Sequence, residues 1–380
     1  MHLLHVTNIV SHHQLPLARC LASRLGKSSF RFAATEPPIA ERVTLGWDAE
    51  ESETWLLRAG ESESDRAEFE RWWDEADVLI TTYRNVARLA DRVRCGKLTF
   101  YMSERWWKPP LGMARVLDPR YAWMAARFCR LAQSPCFHFL PMGGYAAGDM
   151  RRIAPFQGRL WNWGYFTAVP DPLPPCIERD GTLRILWAGR MLWWKRVDTL
   201  VRAFALLRQR APDVRLTLIG DGPRRDKLEQ LVRELAVGDH IDFHSSIPAT
   251  QVRQQMRNAH VDVLPSNGQE GWGAVLNEAM SEGCAVVASE EAGGAKTMLR
   301  HGENGLLFTP GDYQQLGNLL AQLGANEPLR RRLAEEGQRT IVECWSPAVA
   351  AERFLAVSGA LLSKRPVPSY PGGPMARLGH

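Results

Sequence analysis

The 380-residue chain has no run of 18 consecutive apolar residues, so no segment reads as a transmembrane helix. Its opening, Met1-His2-Leu3-Leu4-His5-Val6, has neither a basic leader nor a small-residue cleavage site, and a secretory signal is not expected. The seven cysteines (20, 95, 129, 136, 176, 284 and 344) are odd in number, widely spaced and form no C-x-x-C. That pattern argues against a disulfide framework or a zinc site and fits a reducing cytosol. Lysine is scarce, at seven of the 47 basic residues, and the arginines are scattered rather than gathered in a stripe. Nucleic acid is therefore a disfavoured partner, whereas an anionic substrate or lipid surface stays open. No strand is followed by a complete G-x-G-x-x-G, because Gly220-x-Gly222 has no third glycine in place, and a dinucleotide dehydrogenase is disfavoured.

What is present is ordinary globular composition, 45% hydrophobic and 23% charged with a net charge of +5. A single core rarely grows past about 250–300 residues, so two domains are expected. Tryptophan is abundant: fourteen include the doublets 72–73, 106–107 and 193–194. Such rings stack on sugars or pack cores and interfaces.

The chain alternates strand and helix. Residues 3–10 read as an apolar strand, 11–14 as a polar loop, and 16–25 as a helix stopped by Gly26. Further strands are expected at 78–82 and 97–102, and helices at 63–76 and 119–131; the stretch 137–166 shows no clear period. Prolines 170, 172, 174 and 175 mark a semi-rigid connector. The expected organisation is thus a first domain over 1–168, a linker over 169–182 and a second domain over 183–345. A last helix over 346–363 and a disordered Pro/Gly-containing tail over 364–380 complete it. In the second domain apolar strands at 183–188, 214–219, 241–243, 261–264 and 285–289 are each followed by a helix or a glycine-rich turn, which predicts a parallel sheet with ligands at its carboxyl edge.

Two constellations carry chemistry. Pro265-Ser266-Asn267-Gly268-Gln269-Glu270-Gly271-Trp272-Gly273-Ala274 follows a strand and opens a helix that contains Glu278. Accessible backbone N–H groups at that start suit phosphate. Glu270 in the loop and Glu278 along the helix each offer a carboxylate that can accept from a pair of hydroxyls. The alternative is a glycine turn with two solvated glutamates. Gly189-Arg190-Met191-Leu192-Trp193-Trp194-Lys195 ends the first strand of the same domain, and its two cations suit a diphosphate, unless they are plain surface charges. Together the two describe a nucleotide-diphosphate-sugar site, where stabilising the departing diphosphate is the main catalytic need.

These motifs, with Ile219-Gly220-Asp221-Gly222-Pro223, Asp262-Val263-Leu264-Pro265-Ser266 and Gly302-Glu303-Asn304-Gly305-Leu306-Leu307, resemble glycosyltransferase family 4, the group 1 family, over 183–345. Glu270 and Glu278 match its E-x7-E motif. The resemblance implies an α/β GT-B fold, in which two Rossmann-like domains face a cleft and a C-terminal helix crosses back to the first domain. It implies retention of anomeric configuration and transfer from a UDP- or GDP-sugar without a metal or other cofactor, which the absence of any D-x-D agrees with. It assigns Arg190, Lys195, Glu270, Gly271, Trp272, Gly273, Ala274 and Glu278 to the donor, with Arg190, Lys195 and Glu270 also catalytic. The acceptor would be a glycan or lipid-linked glycan, as in bacterial surface polysaccharide assembly.

The first half matches less well. Where the family often has a Gly-Gly-acidic loop, this chain has Ser11-His12-His13-Gln14, and His12, His13 or Gln14 could meet phosphate or acceptor, or be polar loop residues. Glu104, after the strand at 97–102, could serve the transferred sugar or the acceptor proton, or pair with Arg105 or Lys108. Trp161-Asn162-Trp163-Gly164 occupies the place of a family segment before the linker. A GT-B epimerase or a non-catalytic sugar-binding relative is the alternative function. A cytoplasmic location is expected, with peripheral inner-membrane contact through Arg127, Arg130, Arg151, Arg152 and Arg159 or, instead, a solvated face there. The oligomeric state is not legible.

Overall fold

A computed structural model of the chain describes residues 1–46, 53–83, 85–154, 156–178 and 181–379. Residues 48–52 of the acidic stretch at 48–76, and residues 179 and 180 of the linker, lie outside the described residues. The chain divides into two compact units: residues 1–167 with 344–380, and residues 168–343.

The first unit is built on six parallel strands, β1 (Leu3–Thr7), β2 (Phe30–Ala34), β3 (Leu56–Arg58), β4 (Val78–Thr81), β5 (Leu98–Ser103) and β6 (Phe137–Pro141). Their spatial order is β3-β2-β1-β4-β5-β6. β1 is central, with Leu3 opposite Phe30 on one side and Val78 on the other. Burial on both faces explains why these strands read as unbroken apolar runs rather than as alternating ones. Helices start where the sequence supplies caps: Ser62 accepts from the Asp65 N–H, and Asp118 from the Arg120 N–H ahead of Pro119.

The second unit repeats the plan with β7 (Leu183–Ala188), β8 (Val214–Ile219), β9 (Ile241–His244), β10 (Val261–Leu264), β11 (Ala285–Ser289) and β12 (Leu306–Phe308), ordered β12-β11-β10-β7-β8-β9. Both sheets therefore have the doubly wound order, in which the strand sequence reverses beside the first strand and ligands bind at the carboxyl ends flanking that point. In the first unit the reversal lies between β1 and β4, and in the second between β7 and β10. Residues 174–178 of the connector belong to the second unit: the Gln338 side-chain amide donates to the Pro174 carbonyl at 2.8 Å.

The helix Pro347–Leu362 belongs to the first unit, as the family resemblance implied. It packs on the helix Leu15–Leu25, and Phe354 meets the rings of Phe100 at 4.9 Å and Trp163 at 5.8 Å. The tail corrects its sequence reading. Residues 364–379 are ordered against this unit because one apolar side chain and a run of backbone bonds outweigh their Pro/Gly content. Met375 is fully buried, its N–H donates to the Asn162 carbonyl at 2.8 Å, and Asn162 N–H donates to Ala376 at 2.8 Å. The Arg377 guanidinium covers the Trp161 ring at 5.0 Å. No helix among the described residues is long and apolar enough to cross a membrane.

Candidate active site

At the carboxyl edge of the second sheet the loops after β7 and β10 are tied to each other. The Asn267 N–H donates to the Trp194 carbonyl at 2.9 Å. The Lys195 ammonium donates to the Glu270 carboxylate in an ion pair largely closed to water, and the Ser266 hydroxyl donates to the same carboxylate oxygen at 3.0 Å. Arg190 stands exposed on the β7 loop.

Two glycines allow this closeness. Gly220, with φ of +134°, lies so near the β7 loop that a Cβ would sit 1.9 Å from the Gly189 carbonyl oxygen. Gly293 would place a Cβ 1.8 Å from the Gly271 carbonyl, and instead its N–H donates to Glu270 at 3.2 Å. Neither position can take a side chain without moving backbone.

Behind the loop, Glu278 lies buried in the helix Val275–Ser281. Asp262 of β10 is buried beneath it with no hydrogen-bond partner for Oδ2. Burial, reinforced by the Glu278 charge, pushes the Asp262 carboxyl well above the usual carboxylate range. Trp272 departs from a sugar-stacking role: its ring is fully buried and its indole N–H donates to Asn277 at 2.7 Å, so only its backbone remains for a ligand. Glu291, which the sequence reading passed over, accepts from the Gly268 N–H at 2.8 Å and braces the loop from β11. Its signal was an acid two positions after a strand and two before Gly293-Gly294. Asp221, between the glycines of the β8 loop, accepts from the Ser246 N–H at 2.7 Å, and that bond holds its carboxyl below the usual range.

The first unit contains a cavity of about 540 Å³ at its own reversal point, lined by His5, Asn8, Gln14, Tyr83, Trp163 and Tyr165 among others. This lies within the ordinary size range of ligand pockets, about 300–1,000 Å³. His13 and Gln14 of the predicted loop line it; His12 lies beside His13 with ring centroids 3.8 Å apart and the ring planes tilted by 48°. His5 was missed, because a histidine inside an apolar strand reads as core. It is buried at the cavity, neither ring nitrogen has a hydrogen-bond partner, and burial lowers its pKa to about 3. Glu104 is not among the lining residues and pairs with Lys108 at 3.2 Å. Of the arginines expected to face a membrane, Arg159 points inward to the carbonyls of Ala132 (2.6 Å) and Phe137 (3.1 Å). Arg151 donates to the Gly379 carbonyl, and Arg152 faces Asp149 at 3.9 Å.

The family model of glycosyl transferases group 1 matches residues 177–340. The match falls within the second unit. Lipopolysaccharide core biosynthesis glycosyltransferase LpsE of Rhizobium meliloti is 33% identical over 183 residues, 48% of this chain and 50% of that protein. Exopolysaccharide phosphotransferase SCO2592 of Streptomyces coelicolor is 27% identical over 56% of this chain and 23% of its own length. The chain thus spans half or less of these curated relatives. Among solved structures, Anabaena Alr3699/HepE in complex with UDP has a TM-score of 0.70 at 16% identity, covering 96% of this chain and 100% of that one. Sucrose-phosphate synthase from Thermosynechococcus elongatus has a TM-score of 0.68 at 18% identity, with coverage of 96% and 100%. The fold is that of the GT-B glycosyltransferases.

Proposed function

We propose that the protein is a metal-independent retaining glycosyltransferase, which takes a sugar from a UDP- or GDP-sugar on its second unit and gives it to a glycan or lipid-linked acceptor hydroxyl held by its first. The observation that carries this reading is the Lys195–Glu270 pair, which joins the two loops flanking the reversal point, with Glu278 buried behind them. Lys195 and Arg190 supply positive charge where a diphosphate leaving group accumulates negative charge, and electrostatic stabilisation placed there acts on the rate directly. Glu278 accepts from the ribose diol and Glu270 from a hydroxyl of the sugar. The backbone N–H groups of Gly271, Trp272, Gly273 and Ala274 lie along the same loop. The cavity of the first unit offers His5, His13, Gln14 and aromatic rings to the acceptor, a mixture of polar groups and flat faces that suits a saccharide. Glu104 enters the chemistry only by leaving Lys108.

The names of two relatives, a lipopolysaccharide core biosynthesis glycosyltransferase and an exopolysaccharide phosphotransferase, support a surface-glycan role, and the UDP complex of a fold neighbour supports a nucleotide donor. A thermal-shift panel of UDP, GDP, ADP, CMP and NAD tests the reading. A ligand at 100 times its Kd stabilises by about 2.7 kcal/mol. A shift with UDP or GDP alone, followed by sugar transfer that survives EDTA, is the expected result. A shift with NAD alone, or none at all, overturns it.

A further inference from the structure

Between β5 and the helix Pro119–Leu131 the first unit carries a 3-10 turn, Gly112–Leu117, that contributes no buried side chain. It presents apolar groups to solvent: Leu111 is 60% exposed, Leu117 is 83% exposed, Met113 and Val116 are exposed between them, and Trp123 on the following helix is 53% exposed. Isolated exposed apolar residues are ordinary, but five within thirteen positions form a patch that calls for a partner.

The charge along this segment is predominantly positive. Lys108, Arg115, Arg120, Arg127 and Arg130 lie in or beside it in sequence, Lys108 pairs with Glu104 at 3.2 Å, and Asp118 is the sole acid from 105 to 148. That acid is already held by Arg120 at 2.7 Å. Two of the cations lie against aromatic rings, Arg127 at 4.1 Å from Trp123 and Arg115 at 5.7 Å from Tyr121. Long basic side chains lying over aromatic and aliphatic groups suit the boundary between lipid headgroups and acyl chains.

We propose that this patch docks the protein onto an anionic phospholipid surface, with the aliphatic side chains of the turn entering the acyl boundary and the cations meeting lipid phosphates. A second copy of the chain is the poorer occupant. A symmetric contact would set the same excess of positive charge, Arg115, Arg127 and Arg130 above all, against itself, and like charges facing across an interface oppose association. The patch begins a few residues after β5, whose Met102 lines the cavity of the first unit, so the docked surface and the cavity share one strand's end.

The experiment is co-sedimentation of the full-length protein with vesicles of phosphatidylcholine alone and of phosphatidylcholine mixed equally with phosphatidylglycerol. It needs no turnover and stands apart from the transferase reading. Binding to the mixed vesicles alone, weakened by added salt, is expected. The double variant L111E/L117E should lower the bound fraction about tenfold or more, and R115Q/R127Q should lower both binding and its salt dependence. Leu111 and Leu117 lie outside the core, so the thermal unfolding and the nucleotide-induced shift of L111E/L117E should be those of the wild type. Failure to bind the mixed vesicles, equal binding to both vesicle types, or indifference to L111E/L117E overturns the proposal. A wild-type dimer that L117E converts to a monomer, without vesicle binding, also overturns it and assigns the patch to a second copy.

Discussion

Replacing Glu270 by glutamine should strengthen nucleotide binding and weaken sugar transfer. In the free protein the Lys195 ammonium is held by the Glu270 carboxylate, so a diphosphate must draw Lys195 away from that carboxylate or share it. Exposed ion pairs contribute about 0.2–1 kcal/mol, and breaking a fully buried one costs about 3–5 kcal/mol. The side chains of Lys195 and Glu270 retain 17% and 13% exposure, which places this pair between the two limits. Relief of about 1–2 kcal/mol follows, or a Kd for UDP or GDP lowered about 5–30-fold. Glutamine keeps the shape and still accepts from the Ser266 hydroxyl, so the loop should hold. The sugar loses a charged acceptor, a loss of about 1.5–3 kcal/mol that should appear in kcat/KM with the full donor. Titration calorimetry with the nucleotide that the wild type binds, beside steady-state transfer, reads both signs. If E270Q weakens nucleotide binding instead, Lys195 is not the ligand of the diphosphate.

The remaining predictions concern stability. D262N should stabilise the second unit increasingly as pH rises. The unfolded chain ionises Asp262 near pH 3.9, the folded chain holds the proton above that, and so native stability falls with rising pH until the variant removes the group. A stability difference independent of pH in thermal unfolding would refute this. His5 and His138 have folded pKa values of about 3, against 6.5 unfolded. The stability that they leave intact above pH 6.5 should be lost below it by up to about 2.7 kcal/mol per pH unit for the pair. Unfolding of the first unit at several pH values down to about 5 checks the slope. Truncation after Arg365 should destabilise the first unit by at least the cost of emptying the Met375 site, about 2–5 kcal/mol, seen as a lowered unfolding midpoint.

The second unit was legible because its chemistry is contiguous. Strands 183–188, 214–219 and 261–264 end where the apolar runs end, and the loops that follow them hold Lys195 and Glu270. Within its site, the brace was hidden. Glu291 reaches Gly268 from 23 positions away, and no local spacing records such a contact. The fully buried ring of Trp272 shows the opposite limit, since a tryptophan beside a glycine loop carries no sign of which way its ring turns. The short strands β2, β3, β6 and β12 were missed because three to five buried residues contain too few periods to tell strand from helix.

The first unit resisted for a different reason. Its cavity collects single side chains from the ends of β1, β4 and β5, from the helix after β1 and from the 163–166 segment. Each of them, read in its own neighbourhood, is a core histidine, a loop amide or a packing aromatic. The tail makes the same point through the backbone. Residues 375–378 bond to 160–162 immediately before Trp163 and Tyr165 of the cavity. A segment whose composition suggests disorder thus braces the cavity wall, and that follows from pairing with residues more than 200 positions earlier, which no single-segment pattern contains. Truncation after Arg365 therefore has a second consequence that composition would not suggest. It should loosen acceptor binding in the first unit while leaving the nucleotide affinity of the second unit unchanged. Equal loss of both in the truncated protein would refute this division of labour between the two units.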